Sequence, residues 1–472
     1  MTIKKKRAPF FGGWQELMTL AWPLIISSSS FAVLNFCDRL FLSWYNEDAF
    51  RASLPAGVLF FTLVCGFMAV AGFANTFVAQ MWGANDREGC AKATAQGILF
   101  SGLSFFLLLL LVPVGIQLLQ LSGHAPNVLL MEERYFRILM WSGSGMVLSS
   151  AIGSFFSGRG KTFIIMGCNI AANAVNILLN YLLVFGKGGF PEMGIAGAGW
   201  ASVIGAWISP LILIAFYFSK HNRREFNTLK MLRYNSTLFR RLIRFGVPAG
   251  IEWFLDVAAF TTFVLILGRI GEIAHIASNI ALSINLIAFM PMIGLGMAAS
   301  ILVGQYLGRN DSKNAQRIGW LAFRIGLSYV ALIGITFLLF PTFYAKAFTG
   351  HLSNSISLKE LMHTVRILLA ILAFWGFADA TALTLSGALK GAGDTHFVMR
   401  FRLVVSWCIL VPSQILIVVV LKKGVFASWA CTLFYITILA IGFILRFRSN
   451  RWKQIDLLDR KNRQKTIIPY EV

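Results

Sequence analysis

FGVPAGIEWFLDVAAF, residues 245–260, is an apolar run with Glu252 and Asp256 near its centre. Four residues separate the two acids, so on a helix they share one face. The run continues through Thr261 and Thr262 to Leu267, a length that suits a membrane span of roughly 20 residues. A carboxylate at bilayer depth costs about 2.5–3.5 kcal/mol even on insertion scales, so two on one helix need a compensating charge. Protons, metal cations or a cationic substrate would each supply it. The stretch therefore predicts a membrane helix forming half of a cation site.

The rest of the chain has the composition of a membrane protein. Of its 472 residues 57% are hydrophobic and 13% charged, and the mean hydropathy is +0.70, outside the range of soluble domains. Spans are predicted near 14–42, 53–82, 92–121, 135–157, 163–186, 194–218, 240–268, 274–306, 316–341, 364–388, 398–421 and 425–446. The start, MTIKKKRAPFFGGWQEL, runs into a full-length span without a small-residue cleavage site, so no cleavable signal peptide is expected. The net charge of +22 is concentrated in Lys4–Arg7, the 220–244 loop and the tail from Arg446 to Lys465. Only Arg39 and Arg324 are counted inside spans. With both termini inside, this is a positive-inside distribution. Flanking membrane spans, the basic segments are read as facing anionic lipid rather than nucleic acid. The six cysteines form no C-x-x-C pair and read as small buried hydrophobes.

The chain repeats itself. Pro23, Gln80, Gly83, Asn85 and Asp86 return as Pro248, Gln305, Gly308, Asn310 and Asp311, each 225 residues later. Gly158-x-Gly160-x-Thr162 returns as Gly391-x-Gly393-x-Thr395 after an offset of 233. Six spans per repeat is an even number, so both halves share one orientation and are related by an axis along the membrane normal. The organisation is a cytoplasmic N-terminus (1–13), a first lobe (14–218), an inner-surface amphipathic linker (219–239), a second lobe (240–446) and a basic tail (447–472). The repeated loops read as short inner turns, with Asn85, Asp86, Thr162 and Thr395 as helix caps. Gly158–Thr162 imitates the end of a phosphate-binding loop. Phe155 stands where that motif needs glycine, no strand precedes it, and the second copy lacks the lysine.

Chemistry is assigned to acids inside spans: Asp38, Glu252, Asp256 and Asp379. The plain alternative for each is a carboxylate satisfied by a neighbouring hydroxyl, amide or arginine. Two carboxylates sharing a pocket cannot both stay ionised cheaply, which makes proton and metal-cation binding alternatives at one place. Thr261 and Thr381 could add oxygen ligands, with Asp256 and Asp379 as the candidate sodium ligands. In the first half Asn35 marks span 1, and Asn169, Asn173, Asn176 and Asn180 follow 4-3-4 spacing along one face of span 5. That stripe must face protein or water, as interhelical hydrogen bonds or as a cavity lining.

Several stretches resemble one family. Asn35-x-x-Asp38, AQMWGAND with its repeat, FFSGRGKT, LNYLLVFGKGGFPEMGIAGAGWA and DATALTLSGALKGAGDT are similar to the multidrug and toxic compound extrusion (MATE) transporters. The LNY form around Asn180 points to the NorM-like branch. The resemblance implies an all-α, V-shaped bundle of twelve transmembrane helices in two six-helix lobes. It implies export of amphipathic, often cationic compounds in exchange for sodium or protons, without an enzyme activity or cofactor. By motif, Asp256, Asp379 and Asp38 fall on the family's span 7, span 10 and span 1 acids; Arg39 and Glu252 depart from the pattern. The expectation is a monomeric antiporter of the cell inner membrane. In it Asp256, Asp379, Glu252 and Asp38 bind or couple the cation, while Asn35, Asn173, Asn176, Asn180, Thr261 and Thr381 line the cavity. Its alternatives are a flippase of lipid-linked sugars, which needs a basic cavity, and a passive channel or non-transporting membrane scaffold.

Overall fold

The computed structural model describes residues 13–121, 124–349 and 358–458. Every regular element among them is helical, and twelve helices are long and apolar enough to cross a membrane. In chain order the elements are α1 (Trp14–Tyr45), α2 (Glu47–Gly72), α3 (Ala74–Gly83), α4 (Arg87–Gln120), α5 (Pro126–Ser157), α6 (Thr162–Phe185), α7 (Ile195–Tyr217) and the short α8 (Lys220–Phe226). The second half holds α9 (Ser236–Leu267), α10 (Glu272–Gly308), α11 (Ser312–Leu339), α12 (Pro341–Thr349) and α13 (Leu358–Ala392). Last come α14 (Thr395–Val420), which contains two π-helical turns around Pro412, and α15 (Val425–Arg448). α2 and α3 form one span, Glu47–Gly83, broken at Phe73.

Buried apolar residues fall into two cores, one per half, with an exchange at the boundary. Leu17, Leu20, Ala21 and Leu24 at the start of α1 pack in the core of the second half. Leu242 and Ala249 at the start of α9 pack in the core of the first. Water is not the competing solvent around such helices, so close packing of small residues carries the association. A Cβ placed on Gly250 would lie 2.6 Å from the Gly66 carbonyl oxygen; α2 and α9 therefore touch backbone to backbone.

The repeated turns are capped partly as the sequence suggests. Asn85 and Asn310 take left-handed φ of 62° and 61°, and Asp86 and Asp311 accept from the Gly89 and Asn314 amides at 2.8 and 3.0 Å. Thr162 and Thr395 do not cap. Their buried hydroxyls have no partner among the described residues, the positions before α6 and α14 being held by Lys161 and Asp394. Asp394 instead takes a two-point ion pair from Arg446, at 2.7 and 3.2 Å. The cysteines are all free; Cys65, Cys90 and Cys168 are buried, whereas Cys408 is exposed.

The linker is anchored through one aromatic side chain. Phe226 ends α8 fully buried, edge-on to Phe155 and 4.4 Å from the Arg159 guanidinium, which also lies 3.8 Å over the Phe155 ring. Burial lowers the Arg159 pKa to about 10, so it stays charged at neutral pH. Arg87 pairs with Glu225 at 2.7 Å, and Gln96 bonds both the Arg233 carbonyl and the Asn235 amide. Phe226→Ala should cost about 3–5 kcal/mol through the cavity it leaves. The expected result is a lower Tm in detergent and faster tryptic cleavage at Arg223 and Arg224; unchanged cleavage would show the anchor to lie elsewhere.

Candidate functional site

The FGVPAGIEWFLDVAAF stretch forms the middle of α9, as its pattern predicts, and turns both acids toward α13 and α14. Glu252, 4% exposed, lies 3.2 Å from the Lys390 ammonium of α13 and 3.2 Å from Arg402 Nε of α14. Arg402 Nη1 reaches Asp256 Oδ2 at 2.7 Å. Arg402 is itself buried and lies near the Phe443 ring. The count of Arg39 and Arg324 as the charges inside spans therefore leaves it out. The helix continues through it, and its guanidinium is drawn inward by two carboxylates one turn apart.

Asp379 of α13 lies within electrostatic range of both Asp256 and Arg402. Among the described residues it makes no hydrogen bond or ion pair. It opens on a cavity of about 20 Å³ lined by Asn285, Phe289, Met292, Val330 and Gly376, room for one water-sized occupant. The cluster thus holds three carboxylates (Glu252, Asp256, Asp379) and two fixed cations (Lys390, Arg402), one charge short of neutrality. Buried Arg402 and half-buried Lys390 are both committed to carboxylates, so they form no open basic cavity.

Thr261 and Thr381 turn back on their own helices, their hydroxyls donating to the Val257 and Phe377 carbonyls at 2.9 and 2.7 Å. Among the described residues no three His, Cys, Asp or Glu side chains converge as a metal site.

In the first half the asparagine stripe of α6 is a ladder onto α1. Asn169 donates to Ser27 Oγ at 2.6 Å and Asn173 to Ser30 Oγ at 2.9 Å. At the far end Asn180 donates to Asp38 Oδ1. Asn176 faces Ser202 of α7 at 3.5 Å, while Asn35 bonds its own helix at the Phe31 carbonyl. Of the two readings of the stripe, interhelical hydrogen bonding is the one these contacts make. Among the described residues the buried Oδ1 atoms of Asn176 and Asn180 have no hydrogen-bond partner.

The repeated loops do more than turn. Gln80 of α3 donates across the lobe boundary to the Gly391 carbonyl at 3.2 Å; its twin Gln305 of α10 donates to the Gly158 carbonyl at 2.8 Å. Each repeated glutamine therefore holds the repeated glycine of the opposite half. Between them Gly83 and Gly308 pack face to face, a Cβ on either lying 2.0 or 2.1 Å from the Gln305 or Gln80 carbonyl oxygen. This seam closes the end of the bundle that carries loops 84–86, 158–161, 309–311 and 393–394.

The MatE family model matches residues 23–182 and 248–416, one copy in each half. A "Probable multidrug resistance protein NorM" from Bradyrhizobium diazoefficiens is 27% identical over 441 residues, 92% of each chain. One from Thermotoga maritima is 24% identical over 95% of each. Among solved structures, an outward-facing MATE family multidrug resistance transporter of the MOP superfamily superposes with a TM-score of 0.83 at 16% identity, covering 92% of this chain and 95% of that one. The eukaryotic MATE transporter AtDTX14 superposes at 0.80 and 23% identity, over 96% and 98%.

Proposed function

Because the chain belongs to the MatE family of multidrug efflux transporters, we propose that it exports amphipathic cations in exchange for an inward-moving sodium ion or proton. The observation that supports this reading best is Asp379, an uncompensated carboxylate in a cluster whose other two acids already have basic partners. One monovalent ion or proton neutralises the cluster. A bound cationic drug would do the same, and competition between the two for a single negative charge is a sufficient basis for antiport. Asp38, held by Asn180, shapes the other lobe. The lobes rock about the glycine seam, which in the N-inside orientation is the cytoplasmic closure. The transporter acts as a monomer in the inner membrane.

The test is transport of a fluorescent monovalent cation into inverted proteoliposomes, with a sodium or a pH gradient imposed separately. Uptake driven by one of them is expected; uptake indifferent to both would sink the antiport reading. Arg402→Met should strand the half-buried Asp256 and leave the buried Glu252 with Lys390 alone, destabilising the protein by about 1–3 kcal/mol, seen as a drop in Tm. Adding Asp256→Asn should recover part of that loss, and Arg402→Lys should lose less. No recovery in the double variant would mean that the ion pair is not what the arginine contributes.

A further inference from the structure

We propose that the cytoplasmic end of α11, facing the start of α1, binds the headgroup of an anionic phospholipid. Arg317 and Arg324 project from α11 seven residues apart, about 10.5 Å along the axis. With Trp320, Leu321, Gly13 and Trp14 they line an open cavity of about 460 Å³. No carboxylate is among the lining residues, and neither guanidinium has an ion pair or side-chain hydrogen bond among the described residues.

Three physical arguments identify the ligand. Arg324 is the thirteenth residue of α11, roughly 18 Å from its start. A guanidinium at that depth is costly unless it reaches the interface or meets an anion. The nearest acid on α1, Glu16, is already engaged by the Tyr306 hydroxyl at 2.6 Å. Trp14 and Trp320 flank the pair. Tryptophan favours the headgroup level of a bilayer, and Trp320 is held edge-on to Phe447 at 5.3 Å. Finally, the inner leaflet is the anionic one, and each Arg near it gains about 1 kcal/mol. The chain's first twelve residues carry four basic and no acidic side chains, so charge disfavours them as the occupant. A phosphodiester between the two guanidiniums, its acyl chains against the lipid-facing side of α11, satisfies both cations. It would tie the first helix of one lobe to the second lobe at the closed end.

The site rests on the proposed N-inside orientation but not on ion-coupled export, and is tested on purified, delipidated full-length protein by native mass spectrometry. With phosphatidylglycerol the wild type should retain one more lipid than Arg317→Gln/Arg324→Gln, with at least tenfold weaker retention in the variant. Phosphatidylcholine should show no such difference, and Arg317→Lys/Arg324→Lys should keep most of the retention. A control pair on the distant linker, Arg223→Gln/Arg224→Gln, should leave this lipid bound. Equal loss in the control would reduce the effect to overall charge and overturn the site. Displacement by millimolar inorganic phosphate would make it a free-phosphate site and overturn the lipid assignment. Since both arginines are exposed, the variants should melt with the wild type in phosphatidylcholine.

Discussion

Asp379→Asn should abolish ion-driven efflux while the protein inserts and melts as the wild type does. The neutral amide keeps the shape of the side chain but removes the one carboxylate that lacks a fixed partner, leaving Glu252 and Asp256 balanced by Lys390 and Arg402. The altered cluster has no charge left to trade. Losing such a linkage should lower gradient-driven transport by roughly 100-fold, the upper part of the range for site-to-site coupling. By contrast, Glu252→Gln removes an acid that is already paired and should act mainly on stability. If Asp379→Asn exports at the wild-type rate under an imposed gradient, the cluster is structural.

Gly308→Val should be nearly as damaging by a different route. Its Cβ would be forced to within 2.1 Å of the Gln80 carbonyl oxygen, a backbone atom on a packed helix that cannot swing aside. Overpacking costs about 1–3 kcal/mol, and charged against the closed state alone it shifts the gating equilibrium roughly 5- to 150-fold. A cysteine introduced at Thr76, whose buried hydroxyl reaches the Lys390 carbonyl across the seam at 3.4 Å, reports the change. It should be protected from a membrane-impermeant maleimide on the cytoplasmic side in the wild-type background and react rapidly with Gly308→Val. Continued protection, with normal export, would show that the bundle does not open there.

The fold was readable because its signals are local: apolar length, charge sidedness and paired motifs at constant offset. Span ends moved by a few residues where caps decide them, as at Asn235 before α9. The site was half readable. An acid inside an apolar run stands out, so Asp38, Glu252, Asp256 and Asp379 were singled out, and the last three lie in one cluster. Arg402 was missed because it falls near the polar edge of its run, where snorkelling to the interface is the ordinary expectation. Only the tertiary approach of α14 to α9 pulls it inward. Lys390, in SGALKGAG, was missed for the same reason. The repeated Gln and Gly pairs were noticed but credited to turns. Their common offset carried the better clue, because residues related by the internal axis are the ones able to meet across it.

The exchange of opening helices between the two cores bears on how the molecule assembles. Neither half can complete its interior alone: the first lacks the start of α9, and the second lacks the start of α1. Assembly is therefore reciprocal, each half templating the other much as two clasped hands close together. A polypeptide severed between Asn227 and Asn235 should yield fragments that are degraded when made singly and recovered as one particle when made together.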